Sequence, residues 1–145
     1  MDYKQYNKWA QEQYNALPIY YAFGQKQFDE MLKEHFNGIT LEQAKTELLA
    51  NGYGGYYRRS DAERINNTIA DVHDTRERLI KEDATGDGFI YEMFLTELND
   101  HEFIYTQDVT ETLDALNITI DDLNDNPALN HGLTKAIREI NENDN

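Results

Sequence analysis

The chain has 145 residues, with 13 Lys and Arg against 28 Asp and Glu, a formal net charge of −15 and a sequence pI near 4.4. That length suits one ordinary domain with a sizeable core, and the acid balance argues against direct binding to nucleic acid or to an anionic membrane, both of which would repel it. Without cysteine, disulfides, thiolate zinc sites and cysteine nucleophiles are excluded together.

Hydrophobic residues make up 39% and aromatic residues 12%, a composition that supports a packed globular chain. Residues 1–8 are polar and aromatic, without the apolar core of a signal peptide, and no apolar run approaches the roughly 18 residues of a membrane span. A soluble, cytoplasmic protein is the expectation.

In chain order, Tyr3, Tyr6, Ala10, Gln13 and Tyr14 recur at helical steps over residues 2–15. Leu17-Pro18-Ile19-Tyr20-Tyr21-Ala22-Phe23 then turns β-favouring, closed by Gly24. Phe28, Met31, Leu32, His35 and Phe36 return to helical spacing, ended by Asn37-Gly38. Thr40 and Gln43 form a capping box for a short helix with Leu41, Ala44 and Leu48 inward, stopped by Asn51-Gly52. Residues 53–59 read as a second strand paired with residues 17–23. Ser60-Asp61-Ala62-Glu63 is a second capping box, opening the longest helix, with Ala62, Ile65, Ile69, Val72, Leu79 and Ile80 inward and Arg76 breaking the rhythm.

The acidic half follows. Residues 82–134 contain no Lys or Arg and 13 Asp and Glu. Within it, residues 89–101 and 107–116 have helical spacing. Thr119 to Asp122 caps a brief helix, and Asn126-Pro127 opens the last one, with Leu129, Leu133, Ala136, Ile137 and Ile140 inward. Residues 141–145 read as a polar tail after a domain spanning 1–140. The expected fold is α+β: a mainly helical single domain with a small two-stranded β-sheet.

Candidate sites are few. The run Asp83-Ala84-Thr85-Gly86-Asp87-Gly88-Phe89-Ile90 resembles the EF-hand calcium loop, but its twelfth position, where that family has a bidentate Glu, is Phe94. A tight turn capped by its aspartates is the favoured reading, and a degenerate calcium-binding or structural protein the alternative. The histidines His35, His73, His101 and His131 lack metal-ligand spacing. Ser60 is the one serine and stands in no nucleophile motif. The expectation is therefore no enzyme, no catalytic residue, no cofactor and no metal. The Gly52, Gly54 and Gly55 pattern matches no phosphate loop, and Tyr56-Tyr57-Arg58-Arg59 is a weak nucleic-acid signal on so acidic a chain.

The acid itself remains. Outward carboxylates at three- and four-residue steps on a helix stand about 5–6 Å apart, the same order as phosphates along nucleic acid. Asp108, Glu111 and Asp114 form such a row, continued by Asp121, Asp122 and Asp125 and joined by Glu97, Asp100 and Glu102. These nine are the expected partner-binding residues. The partner expected is a basic DNA- or RNA-handling protein rather than nucleic acid or membrane. A merely solubilising face is the competing explanation.

Glu97-Leu98-Asn99-Asp100-His101-Glu102, Tyr105-Thr106, the run Thr112 to Thr119 and Gly132-Leu133 to Ala136-Ile137 together resemble small acidic proteins of phages and mobile elements of Gram-positive bacteria. Residues 17–23 with Gln27-Phe28 are similar to their N-terminal signature. Some such proteins are anti-CRISPR inhibitors of the type II RNA-guided nuclease, several acting as DNA mimics. The resemblance thus implies a phage protein, working in the host bacterial cell, that blocks DNA access to that nuclease. Its motifs are structural, and no functional residue is carried over by it.

Overall fold

A computed structural model describes residues 1–143. Its helices are α1 (Tyr3–Asn15), α2 (Gln25–His35), α3 (Leu41–Glu47), α4 (Ala62–Glu82), α5 (Phe89–Asp100), α6 (Phe103–Thr106), α7 (Thr110–Leu116), α8 (Ile120–Asp125) and α9 (Pro127–Glu142). Its strands are β1 (Tyr20–Tyr21), β2 (Leu48–Ala50) and β3 (Gly55–Arg58), forming one antiparallel sheet of order β1-β3-β2. The chain is α+β and mainly helical, as its periodicity implies. Among the described residues, no helix is long and apolar enough to cross a membrane.

Two compact units divide the chain: Met1–Ala10 with everything from His73 onward, and Gln11–Val72. Helices α1 and α4 contribute residues to both.

In the Gln11–Val72 unit the expected strand pair exists, with Tyr20 opposite Tyr56 and Tyr21 opposite Gly55. The sheet gains a third strand where a helix is expected to continue. Helix α3 opens on the Thr40–Gln43 capping box but ends at Glu47, and Leu48, Leu49 and Ala50 pair with Arg58, Tyr57 and Tyr56. Asn51 makes this possible: its side-chain oxygen accepts the N–H groups of Tyr53 and Gly55 at 2.8 and 2.9 Å, closing the hairpin. Phe36, Met31, Leu32, Ala22, Ala44 and Leu48 form the core beneath the sheet. The Ser60 capping box does not form. The chain enters α4 through a 3-10 turn, Arg59–Asp61, with no side-chain cap. Ile69, read as inward, is 44% exposed.

In the other unit, α5 packs along α9. Ile90, Met93, Phe94, Leu98 and Ala136 are wholly buried, joined by Leu129, Leu133 and Ile140. Two glycines permit the approach: a Cβ on Gly132 would collide with Ile90 Cγ2 and stand 2.8 Å from the Gly86 carbonyl, and one on Gly86 would meet the Ala128 carbonyl. Tyr3 and Tyr6 add edge-on aromatic contacts to Phe89, with centroids 5.4 and 5.7 Å apart.

Beyond α5 the chain breaks repeatedly at left-handed residues, Glu102, Gln107 and Asn117. Hence α6 is a separate single turn and α7 begins only at Thr110, three residues later than its spacing suggests. Helix α9 runs to Glu142, two residues into the segment read as a tail; residues 144 and 145 lie outside the described part.

Helix propensity alone would favour Gly132→Ala by about 1 kcal/mol. Overpacking against Ile90 and Gly86 reverses the sign, and urea denaturation should show a loss of about 1–3 kcal/mol.

Candidate functional site

The Gly-Asp-Gly loop leading into α5 is organised by Asp83. Its Oδ1 accepts the Gly86 N–H at 3.0 Å, and its Oδ2 accepts those of Gly88 and Ile90 at 3.1 and 3.0 Å. Asp87 turns to α9, where its Oδ1 meets His131 Nε2 at 2.8 Å and Lys135 Nζ at 3.1 Å. These bonds, His131 first, hold the Asp87 carboxyl below the usual carboxylate range. Lys135 is fixed further over the Tyr91 ring, 4.5 Å from its centroid. The two aspartates that a calcium loop would use as ligands are thus engaged with protein groups, as the capped-turn reading has it, and no cluster of three or more potential metal ligands occurs among the described residues.

The nine acidic residues expected to bind a partner all lie in the unit containing residues 73 onward. They differ in what holds them. Glu97 is half-buried on α5, accepting the Tyr3 hydroxyl at 2.6 Å, while Glu92 takes the Tyr3 N–H at 3.0 Å. Burial, then the bond to Glu97, pushes the Tyr3 hydroxyl far above the ordinary tyrosine range. Asp108 stands before α7 rather than on it, so it is not the first member of a helical row. Its Oδ1 accepts the Thr110 hydroxyl and N–H at 2.6 and 2.9 Å. Asp122 closes a capping box with Thr119 at the start of α8. Both carboxyls are held below the usual range, Asp108 chiefly by the Thr110 hydroxyl and Asp122 chiefly by the Thr119 N–H.

Glu111 is exposed, 3.9 Å from His101 Nδ1. Asp100, Glu102, Asp114, Asp121 and Asp125 are exposed and make no side-chain hydrogen bond or ion pair among the described residues. The acid is not wholly on convex surface. Asp122 and Asp125 of α8 and Glu77 of α4 border a cleft of about 320 Å³ whose floor includes Ile80, Ile118 and Leu129, with His73 at its side. Such a cleft suits the apolar stem and charged head of a lysine or arginine.

The two units are unequally charged. Met1–Ala10 with residues 73 onward carries 7 basic and 19 acidic residues, a balance of −12; Gln11–Val72 carries 6 and 9, a balance of −3. A family of unknown function (DUF7659) matches residues 2–139. The chain belongs to that family. No curated protein and no solved structure matches it.

Spacing alone does not indicate the Tyr3–Glu97 contact, which joins residues 94 apart in sequence. Arg76, where the rhythm of α4 breaks, is largely withdrawn from solvent: its side chain is 13% exposed, bonded to Glu77 at 3.2 Å, with Nε unpartnered.

Replacing Asp83 by Ala should cost about 2 kcal/mol in denaturant titration, because three backbone N–H groups lose their acceptor. Millimolar calcium should leave the melting temperature of the unaltered protein unchanged; a rise of several degrees would show ligation. Asp87, Asp108 and Asp122 have folded pKa values lowered from the unfolded value near 3.9, so each contributes stability that is full above that value and is lost as pH falls through the folded one. Carboxyl ¹³C titration by NMR should find all three below the ordinary range.

Proposed function

We propose that the protein is a non-enzymatic acidic inhibitor: it binds a basic nucleic-acid-handling protein and blocks access of nucleic acid by presenting competing negative charge. One observation carries this reading. Five exposed carboxylates, Asp100, Glu102, Asp114, Asp121 and Asp125, lie unneutralised in a stretch of 53 residues without Lys or Arg. An excess of one sign of charge weakens a compact fold by mutual repulsion. A groove lined by Lys and Arg would relieve that repulsion and would be steered towards this surface. The cleft beside Asp122 and Asp125 would receive one basic side chain of such a groove.

The partner class follows from charge. The type II RNA-guided nuclease is the partner suggested by the sequence resemblance, and its arginine-lined duplex-reading groove suits an acidic competitor. The alternative, a degenerate calcium-binding or structural protein, is the less favoured reading, because Asp83 and Asp87 already accept hydrogen bonds within the protein and the twelfth loop position is Phe94.

Competition between this protein and target DNA for guide-loaded nuclease, measured at several salt concentrations, tests the proposal. Binding should exclude DNA and weaken steeply with added salt, as expected where the Debye length is about 8 Å at physiological ionic strength. Glu111→Lys, Asp114→Lys, Asp121→Lys and Asp125→Lys together should reduce affinity about 100-fold or more with the fold retained. Asp108 and Asp122 are left unchanged because their hydrogen bonds to Thr110 and Thr119 hold the starts of α7 and α8. Undiminished inhibition by this variant would place the interface elsewhere; a complex that still admits DNA would replace competition by a conformational block.

A further inference from the structure

In the less acidic unit, two adjacent arginines line one cleft without a carboxylate partner among the described residues. Arg58 ends β3 and Arg59 begins the 3-10 turn, and both border an open cleft of about 400 Å³ with Thr46, Glu47 and Ser60. Acids outnumber bases 28 to 13 in this chain, yet neither guanidinium makes an ion pair among the described residues. Each is nevertheless held in place. The Arg58 guanidinium lies over the buried Phe36 ring, 4.9 Å from its centroid, and makes no side-chain hydrogen bond among the described residues. Arg59 donates from Nε to the Thr46 carbonyl at 2.8 Å, leaving its terminal nitrogens. The Ser60 hydroxyl makes no hydrogen bond among the described residues, because the capping box that would engage it does not form.

We propose that this cleft binds a phosphoryl group, supplied either as inorganic phosphate or as a small phosphate monoester. Two guanidinium forks and a hydroxyl are donors enough for three oxygens, which a tetrahedral phosphoryl group presents and a carboxylate does not. Restraint of both arginines before binding lowers the entropy lost on capture. Long-range repulsion from a chain of charge −15 disfavours extended polyanions here, whereas a compact anion is governed by the arginines within a Debye length. Glu47 is the one acid lining the cleft among the described residues, and it opposes binding.

The test is titration of the ¹⁵N-labelled full chain with inorganic phosphate, with O-phosphoserine and with sodium chloride at matched ionic strength. Saturable shifts of the Arg59 and Ser60 amides and the Arg59 Nε–H are expected with a phosphate probe and not with chloride. Tighter binding of phosphoserine would identify a monoester as the ligand form, tighter binding of phosphate the free ion. Arg59→Met should weaken binding about tenfold, and Glu47→Gln, an exposed and structurally mild change, should strengthen it about threefold. Equal shifts with chloride, no saturation, or weaker binding by the Glu47→Gln variant would overturn the proposal.

Discussion

The close passage of α9 over the Gly86 loop and α5 sets the geometry of the acidic unit. Gly132 lies against Ile90 and the Gly86 carbonyl at distances that exclude any side chain. That approach lets Ile90 and Ala136 reach zero exposure and forms a core from Met93, Phe94, Leu98, Leu133 and Ile140. Asp83 fixes the loop from the other side, satisfying three backbone donors with one carboxylate. The short helices α6, α7 and α8 have too few residues to be stable alone and depend on docking to this pair.

Acidic residues in this unit do two kinds of work. Asp83, Asp87, Asp108, Asp122 and Glu97 each accept hydrogen bonds that shape a loop, cap a helix or anchor Tyr3. Their negative charge strengthens these hydrogen bonds and is used up within the fold, for Asp87 in an ion pair with Lys135. Asp100, Glu102, Asp114, Asp121 and Asp125 hold nothing in place among the described residues, and it is their charge that needs an explanation outside the fold.

Much of the architecture was legible where periodicity and local capping agree. The Thr40–Gln43 and Thr119–Asp122 boxes, the Asn126-Pro127 helix start and the inward face of α5 all depend on neighbours within a few residues. Features set by distant partners were not. Leu48 to Ala50 continue a helical pattern, and pairing with β3 converts them to strand. Ser60 satisfies the capping signature, but the turn at Arg59–Asp61 takes another path. Asp108 fits a three-residue rhythm with Glu111 and Asp114, yet left-handed Gln107 delays the helix until Thr110. The acid count marked the candidate surface; its division into fold-holding and free carboxylates required the hydrogen bonds.

The left-handed residues Glu102, Gln107 and Asn117 carry a further consequence. Each stops one helix and restarts the next with a new rotational phase, so the free carboxylates cannot follow one continuous helical stripe from α5 to α8. A duplex sets its phosphates at a regular repeat. This surface instead offers negative charge in separate groups, at the end of α5, along α7 and on α8. It would complement a basic groove through the density of its charge, and grooves of different pitch could accommodate it equally well.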